Sequence, residues 1–134
     1  MNKLTGRIVN VASDNHMSIL EMDVDGELLK AIVIETPETA PFLRKGNGIN
    51  IMFKETEVSI AKDFSGVISL QNKMICTVKE IKKGTLLSRI LLDFKGNEIC
   101  SVITSAAVEQ LGLSTANKIT ALIKTNEVMI APND

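Results

Sequence analysis

Tryptophan and tyrosine are absent, and four phenylalanines make up the whole aromatic content, 3% of the chain. A surface that stacks single-stranded nucleic acid needs more flat side chains than that. Positive charge does not substitute for them: 15 Lys+Arg face 16 Asp+Glu, a formal net charge of -1. A nucleic-acid partner held by bulk charge is therefore not expected. One histidine, His16, and two cysteines, Cys76 and Cys100, form a poor zinc set. A His-dependent nucleophilic triad would have only His16 to draw on, and no phosphate loop of the GxxxxGK[ST] form occurs. The chain does not read as an enzyme. No apolar run approaches the roughly 18 residues of a membrane span. No basic segment leads into an apolar one at the start, so neither a membrane partner nor export is expected, and the cytoplasm is the expected location. Cys76 and Cys100 lie in apolar, strand-like runs and read as buried thiols of a reducing compartment.

What is present is aliphatic and patterned. Hydrophobic residues account for 45% and charged residues for 23% of 134 residues, enough to fold one ordinary domain or two very small ones. The pattern repeats at an offset of 70. Lys54-Glu55-Thr56-Glu57-Val58-Ser59-Ile60-Ala61 matches Lys124-Thr125-Asn126-Glu127-Val128-Met129-Ile130-Ala131 at Lys, Glu, Val, Ile and Ala. The same offset pairs Asn2-Lys3 with Asn72-Lys73, Asp23 with Asp93, Gly26 with Gly96, Leu43 with Leu113, Asn47 with Asn117 and Ile49 with Ile119, without a gap. Two modules follow, residues 1–64 and 67–134, joined by a short junction. Units of roughly 65 residues are marginal alone, so close packing of the pair, or of several chains, is expected.

Each module reads as five strands. In the second, Lys73–Ile81, Leu86–Phe94, Ile99–Ile103, Lys118–Lys124 and Val128–Ala131 are strand-like. Lys95-Gly96-Asn97 is a hairpin turn, with Gly96 free to take positive φ. Ser105–Leu111 is a short helix, with Thr104 or Ser105 as N-cap and Gly112 as C-cap. The first module copies this as Gly6–Val11, Ser18–Val24, Leu28–Ile34, Ile49–Phe53 and Val58–Ala61. Its helix is weaker, since Pro37 and Pro41 bracket it: Pro37 suits a first helical position, but Pro41 cannot sit deep inside, so one turn or an irregular segment is expected. The expected fold is all-β: tandem duplicated OB-like five-stranded β-barrels, each with one short helix between strands 3 and 4 and each closed by its own last strand; the alternative is a pair of small open sheets packed together.

Four segments of the second module then line up: Ile68-Ser69-Leu70-Gln71-Asn72-Lys73, Ser101–Val108, Leu111-Gly112-Leu113 and Ala121–Met129. As an ordered set they resemble the molbindin (Mop) type of molybdate-binding domain, also found as transport-associated OB modules. The tandem arrangement is similar to that of the two-module molbindins. The resemblance implies molybdate or tungstate as bound ligand, no organic cofactor and no metal ligated directly by side chains. It implies sites where modules and subunits meet, and a homo-oligomer, a trimer for two-module chains. The family's Ser-Ala-Arg-Asn motif corresponds to Ser69-Leu70-Gln71-Asn72. Its anion-contacting threonine falls on Thr104, its helix-start contact on Ala107, where backbone alone can serve, and its lysine on Lys124. Ser105 joins the set at the helix start, and Lys54 is the first-module counterpart of Lys124. Two departures stand out. Gln71 replaces an arginine and removes a full charge, and the first module has Ile34 in place of Thr104.

A tetrahedral dianion needs donors from many directions in a site shielded from water. Unpaired N–H groups at a helix start, neutral Ser, Thr, Gln and Asn donors, and one lysine supply such a set. Storage or homeostasis of the oxyanion is the expected function. The alternative is a regulatory or structural oligomerisation module that has lost the anion. Each site residue also has a plainer reading. Ser69 and Asn72 can shape the junction, Thr104 can serve only as a cap, Gln71 can face solvent, and Lys124 and Lys54 can pair with Glu127 and Glu57.

Overall fold

The alternation of aliphatic and polar residues produces ten antiparallel strands in the computed structural model, which describes residues 1–133. They are β1 (Asn2–Asp14), β2 (Met17–Val24), β3 (Glu27–Val33), β4 (Gly48–Phe53), β5 (Ser59–Ala61), β6 (Asn72–Lys83), β7 (Leu87–Phe94), β8 (Asn97–Thr104), β9 (Lys118–Ile123) and β10 (Met129–Pro132). One helix, α1 (Ser105–Leu111), follows β8. Single 3-10 turns at Glu55–Glu57 and Thr125–Glu127 follow β4 and β9. In β2 the residues Ser18, Leu20, Met22 and Val24 are buried, and in β7 their counterparts Ser88, Ile90, Leu92 and Phe94 are buried. Period-two burial of this kind is what a half-buried strand requires.

The strands form two five-stranded sheets, in the orders β10-β4-β1-β2-β3 and β5-β9-β6-β7-β8. In the first, β1 pairs with β4 through Asn2–Arg7 and with β2 through Arg7–Asp14, with a register shift between Ile8 and Asn10. In the second, β6 divides itself likewise between β9 and β7, with the shift at Val78/Glu80. A bulge bends its strand, so the duplicated bulge curls both sheets. The two-residue hairpin loops Asp25-Gly26 and Lys95-Gly96 take positive φ at both positions, the geometry that suits the strand twist. Their tips touch: Lys95 Nζ donates to the Asp25 carbonyl at 3.0 Å, and Asn97 Nδ2 to Asp25 Oδ2 at 3.1 Å. The buried residues of both sheets form one continuous core.

Three expectations are corrected. First, the closing strands change places. β5 pairs with β9 (Ile60 opposite Ala121), and β10 pairs with β4 (Ile130 opposite Ile51). The 3-10 turns carry the chain off its own sheet, and Ser101 Oγ of β8 fixes the first crossing by donating to the Val58 carbonyl at 2.7 Å. Second, the barrels are not closed. β3 and β10 are the unjoined outer strands of one curled sheet, and β8 and β5 those of the other. The exchanged strands, four and three residues long, are too short to seal a barrel. Third, the first module has no regular helix among residues 35–47, only the single irregular turn that its prolines lead one to expect. Ala40 N–H donates to the Thr36 carbonyl at 2.8 Å, one helical bond, and Pro41 has no N–H to make the next.

Candidate functional site

Register brings the expected residues together in two groups. At one end of the second sheet Asn72 stands opposite Ile123. Gln71 and Lys124 are the next residues outward on the two chains, just beyond the last paired residues. Ser69, Gln71 and Lys124 are exposed there. Lys124 is extended and leads into a 3-10 turn. Among the described residues its ammonium has no ion-pair partner, and neither has that of Lys54. The plainer pairing with Glu127 and Glu57 is therefore not what the structure contains.

The second group is the start of α1. Thr104 caps it, its Oγ accepting the Ala107 N–H at 3.0 Å. The Ala107 donor is thus occupied from within the chain, while the Thr104 hydroxyl hydrogen stays free to donate outward. Ser105 is buried. Its Oγ donates to the Gly84 carbonyl at 2.6 Å and lies 2.8 Å from Ser88 Oγ, and its N–H donates to the Leu86 carbonyl. Ser105 therefore locks the helix start onto the β6–β7 connection. Gly112, at φ 60, ends the helix.

These two groups do not meet within one module. Asn72 begins β6, and Gly84, which Ser105 holds, follows its last residue. A strand path of about 35–40 Å separates them, reduced by the curl. The turn after Lys54 packs on β8, whose last residue is Thr104, and the turn after Lys124 packs on β3.

Lys54 lines a shallow depression of about 220 Å³ with Glu57, Asn126, Glu127 and Met129. Two carboxylates against one ammonium make it a poor place for a dianion. A depression of about 350 Å³ lined by Ser13, Asn15, Thr36, Pro37 and Glu38 contains none of the expected residues. Among the described residues no three His, Cys, Asp or Glu side chains gather as a metal site. Both cysteines are free and buried, and burial pushes the Cys76 thiol up to about 12 and raises that of Cys100. His16 is exposed in the β1–β2 turn.

The roles of two residues escaped the sequence reading. Pro37 occupies the place of Ala107 in the first module, so the helix-start N–H has no counterpart there. Asn2 repeats the environment of Asn72: Asn2 bonds both backbone groups of Cys100, as Asn72 bonds those of Lys30. The 70-residue offset pointed to both positions, but only the hydrogen bonds give them meaning.

The family model of the TOBE domain matches residues 68–130. Molybdenum-pterin-binding protein 1 of Clostridium pasteurianum is 38% identical over 64 residues, 47% of this chain and 94% of that protein. The molybdenum import ATP-binding protein ModC of Brucella abortus is 30% identical over 87 residues, 64% of this chain and 24% of its own length. The chain thus spans about a quarter of the ModC proteins it matches. A structure of the cytoplasmic molybdate-binding protein ModG with molybdate bound superposes with a TM-score of 0.92 at 26% identity, covering 98% of this chain and 96% of that one. No helix among the described residues is long and apolar enough to cross a membrane.

Proposed function

We propose that this chain, which belongs to the TOBE family of molbindin type, binds molybdate or tungstate reversibly in the cytoplasm and serves its storage or homeostasis rather than any catalysis. The observation that carries the reading is that exposed Gln71 and Lys124 flank the Asn72–Ile123 pair at one sheet end, Lys124 having no ion-pair partner among the described residues. The likeness of the whole chain to ModG supports it. Residues 1–64 and 67–134 act as two modules, and three chains assemble. Ser69, Gln71 and Lys124 of one chain face the outward hydroxyl of Thr104 on another, so each end supplies what the other lacks. Ser105 and Ala107 hold the helix start in shape, and Asn72 holds its own strand end. Lys54, beside two carboxylates, contributes field more than contact. Selectivity over sulfate follows from size, since fixed donors spaced for the longer bonds of molybdate leave sulfate under-coordinated.

A second reading has its own support. Gln71, Ile34 and Pro37 each remove a donor or charge, as expected of an oligomerisation module that no longer holds an anion. Calorimetric titration separates the two. Molybdate should bind with heat, sulfate more weakly, and Lys124→Ala should lose roughly tenfold to a hundredfold in affinity, the value of one charge-assisted hydrogen bond. No heat and no thermal stabilisation at millimolar molybdate would leave the oligomerisation reading standing alone.

A further inference from the structure

We propose that Asn2 and Asn72 are reciprocal clamps that join the two modules by capping each other's outer strand, and that Asn72 is a positioning residue rather than an anion ligand. Asn72 is 1% exposed. Its Oδ1 accepts the Lys30 N–H at 2.6 Å and its Nδ2 donates to the Lys30 carbonyl at 2.8 Å. Asn2, 6% exposed, does the same to Cys100, both distances being 2.8 Å. The donors and receivers are related by the same offset of 70, Asn2 to Asn72 and Lys30 to Cys100.

Lys30 lies in the middle of β3 and Cys100 in the middle of β8, each an outer strand of its sheet. A backbone N–H and C=O that point off an outer strand need a partner or water. One primary amide supplies both a donor and an acceptor, so each asparagine substitutes for a missing ladder step. Aspartate would set an oxygen against a carbonyl, and alanine would leave two backbone groups without their partner, buried at Cys100 and part-buried at Lys30. The clamp also works without the anion residues. Asn2 makes it in the module that carries Ile34 and Pro37 in place of Thr104 and Ala107. A ligand role would not place the same two bonds there. The consequence for Asn72 is positional: it anchors to the other module the strand end where Gln71 and Lys124 flank the Asn72–Ile123 pair. That last step rests on the anion reading, and the clamp itself does not.

Hydrogen exchange on the anion-free wild-type protein tests the clamp directly. The Lys30 and Cys100 amides should exchange at least tenfold more slowly than Leu28 and Ile32, or Glu98 and Val102, which share the same strand edges. Equal rates would overturn the proposal. Asn2→Ala and Asn72→Ala should each lower Tm by about 5–10 °C and release the Lys30 or Cys100 amide opposite the change. An Asn72→Ala protein that keeps its Tm and the slow Lys30 amide but loses molybdate affinity would make Asn72 a ligand and sink the clamp.

Discussion

Thr104 shows how one hydroxyl serves two purposes. Its oxygen accepts from Ala107 and caps α1, and its hydrogen is left for whatever lies outside. The cap was legible from a threonine placed before Ser105-Ala106-Ala107 and a glycine after Leu111, because capping is a local matter of unpaired N–H groups. That the same bond takes the Ala107 N–H out of use was not legible, since it depends on the Thr104 rotamer. Thr104→Ala should cost about 1 kcal/mol of stability and weaken molybdate binding, whereas Thr104→Ser should keep both, as thermal melts and titration would show. Cys76 gives a prediction in pH. Burial raises its thiol from 9.0 to about 12, so the folded state resists ionisation. The stability this contributes is complete below pH 9 and is lost as pH rises toward the folded value. Wild-type Tm should fall more steeply than that of Cys76→Ala between about pH 9 and 10.5, and thiol reagents should leave Cys76 unmodified in the native protein.

Among the elements, strands and hairpins were legible, and their partners were only partly so. Alternation marks which residues a strand buries, and Asp25-Gly26 and Lys95-Gly96 mark where it turns. The second-module helix was legible to the residue, Ser105–Leu111. β5 and β10 were found but given to the wrong sheets, because Ile60 and Ile130 satisfy the same alternation in either place. A chain cut after Val128 discriminates. With β10 gone, hydrogen exchange should quicken by more than tenfold in β4 of the first module, whose edge it covers, and change little in β9.

At the scale of the whole molecule, the hairpin tips set unlike residues together, Lys95 and Asn97 on Asp25. Two copies of either tip would oppose like with like, so the contact favours pairing of a first module with a second. The proposed anion sites need more than one chain, and sedimentation should give a trimer. Mixing Thr104→Ala with Lys124→Ala chains should regenerate about a quarter of the wild-type sites if each site joins the Thr104 end of one subunit to the Lys124 end of another. If both ends come from the same chain, mixing restores none. Sequence by itself determined the duplication, the all-β class, the turns, the capped helix and the family, because each is written in local chemistry or in a repeated order of residues. Tertiary structure decided the strand exchange, the open sheets and the two asparagine bridges. Those depend on which backbone edge lies within 3 Å of a given amide or strand, and residues far apart in the chain settle that only when they pack.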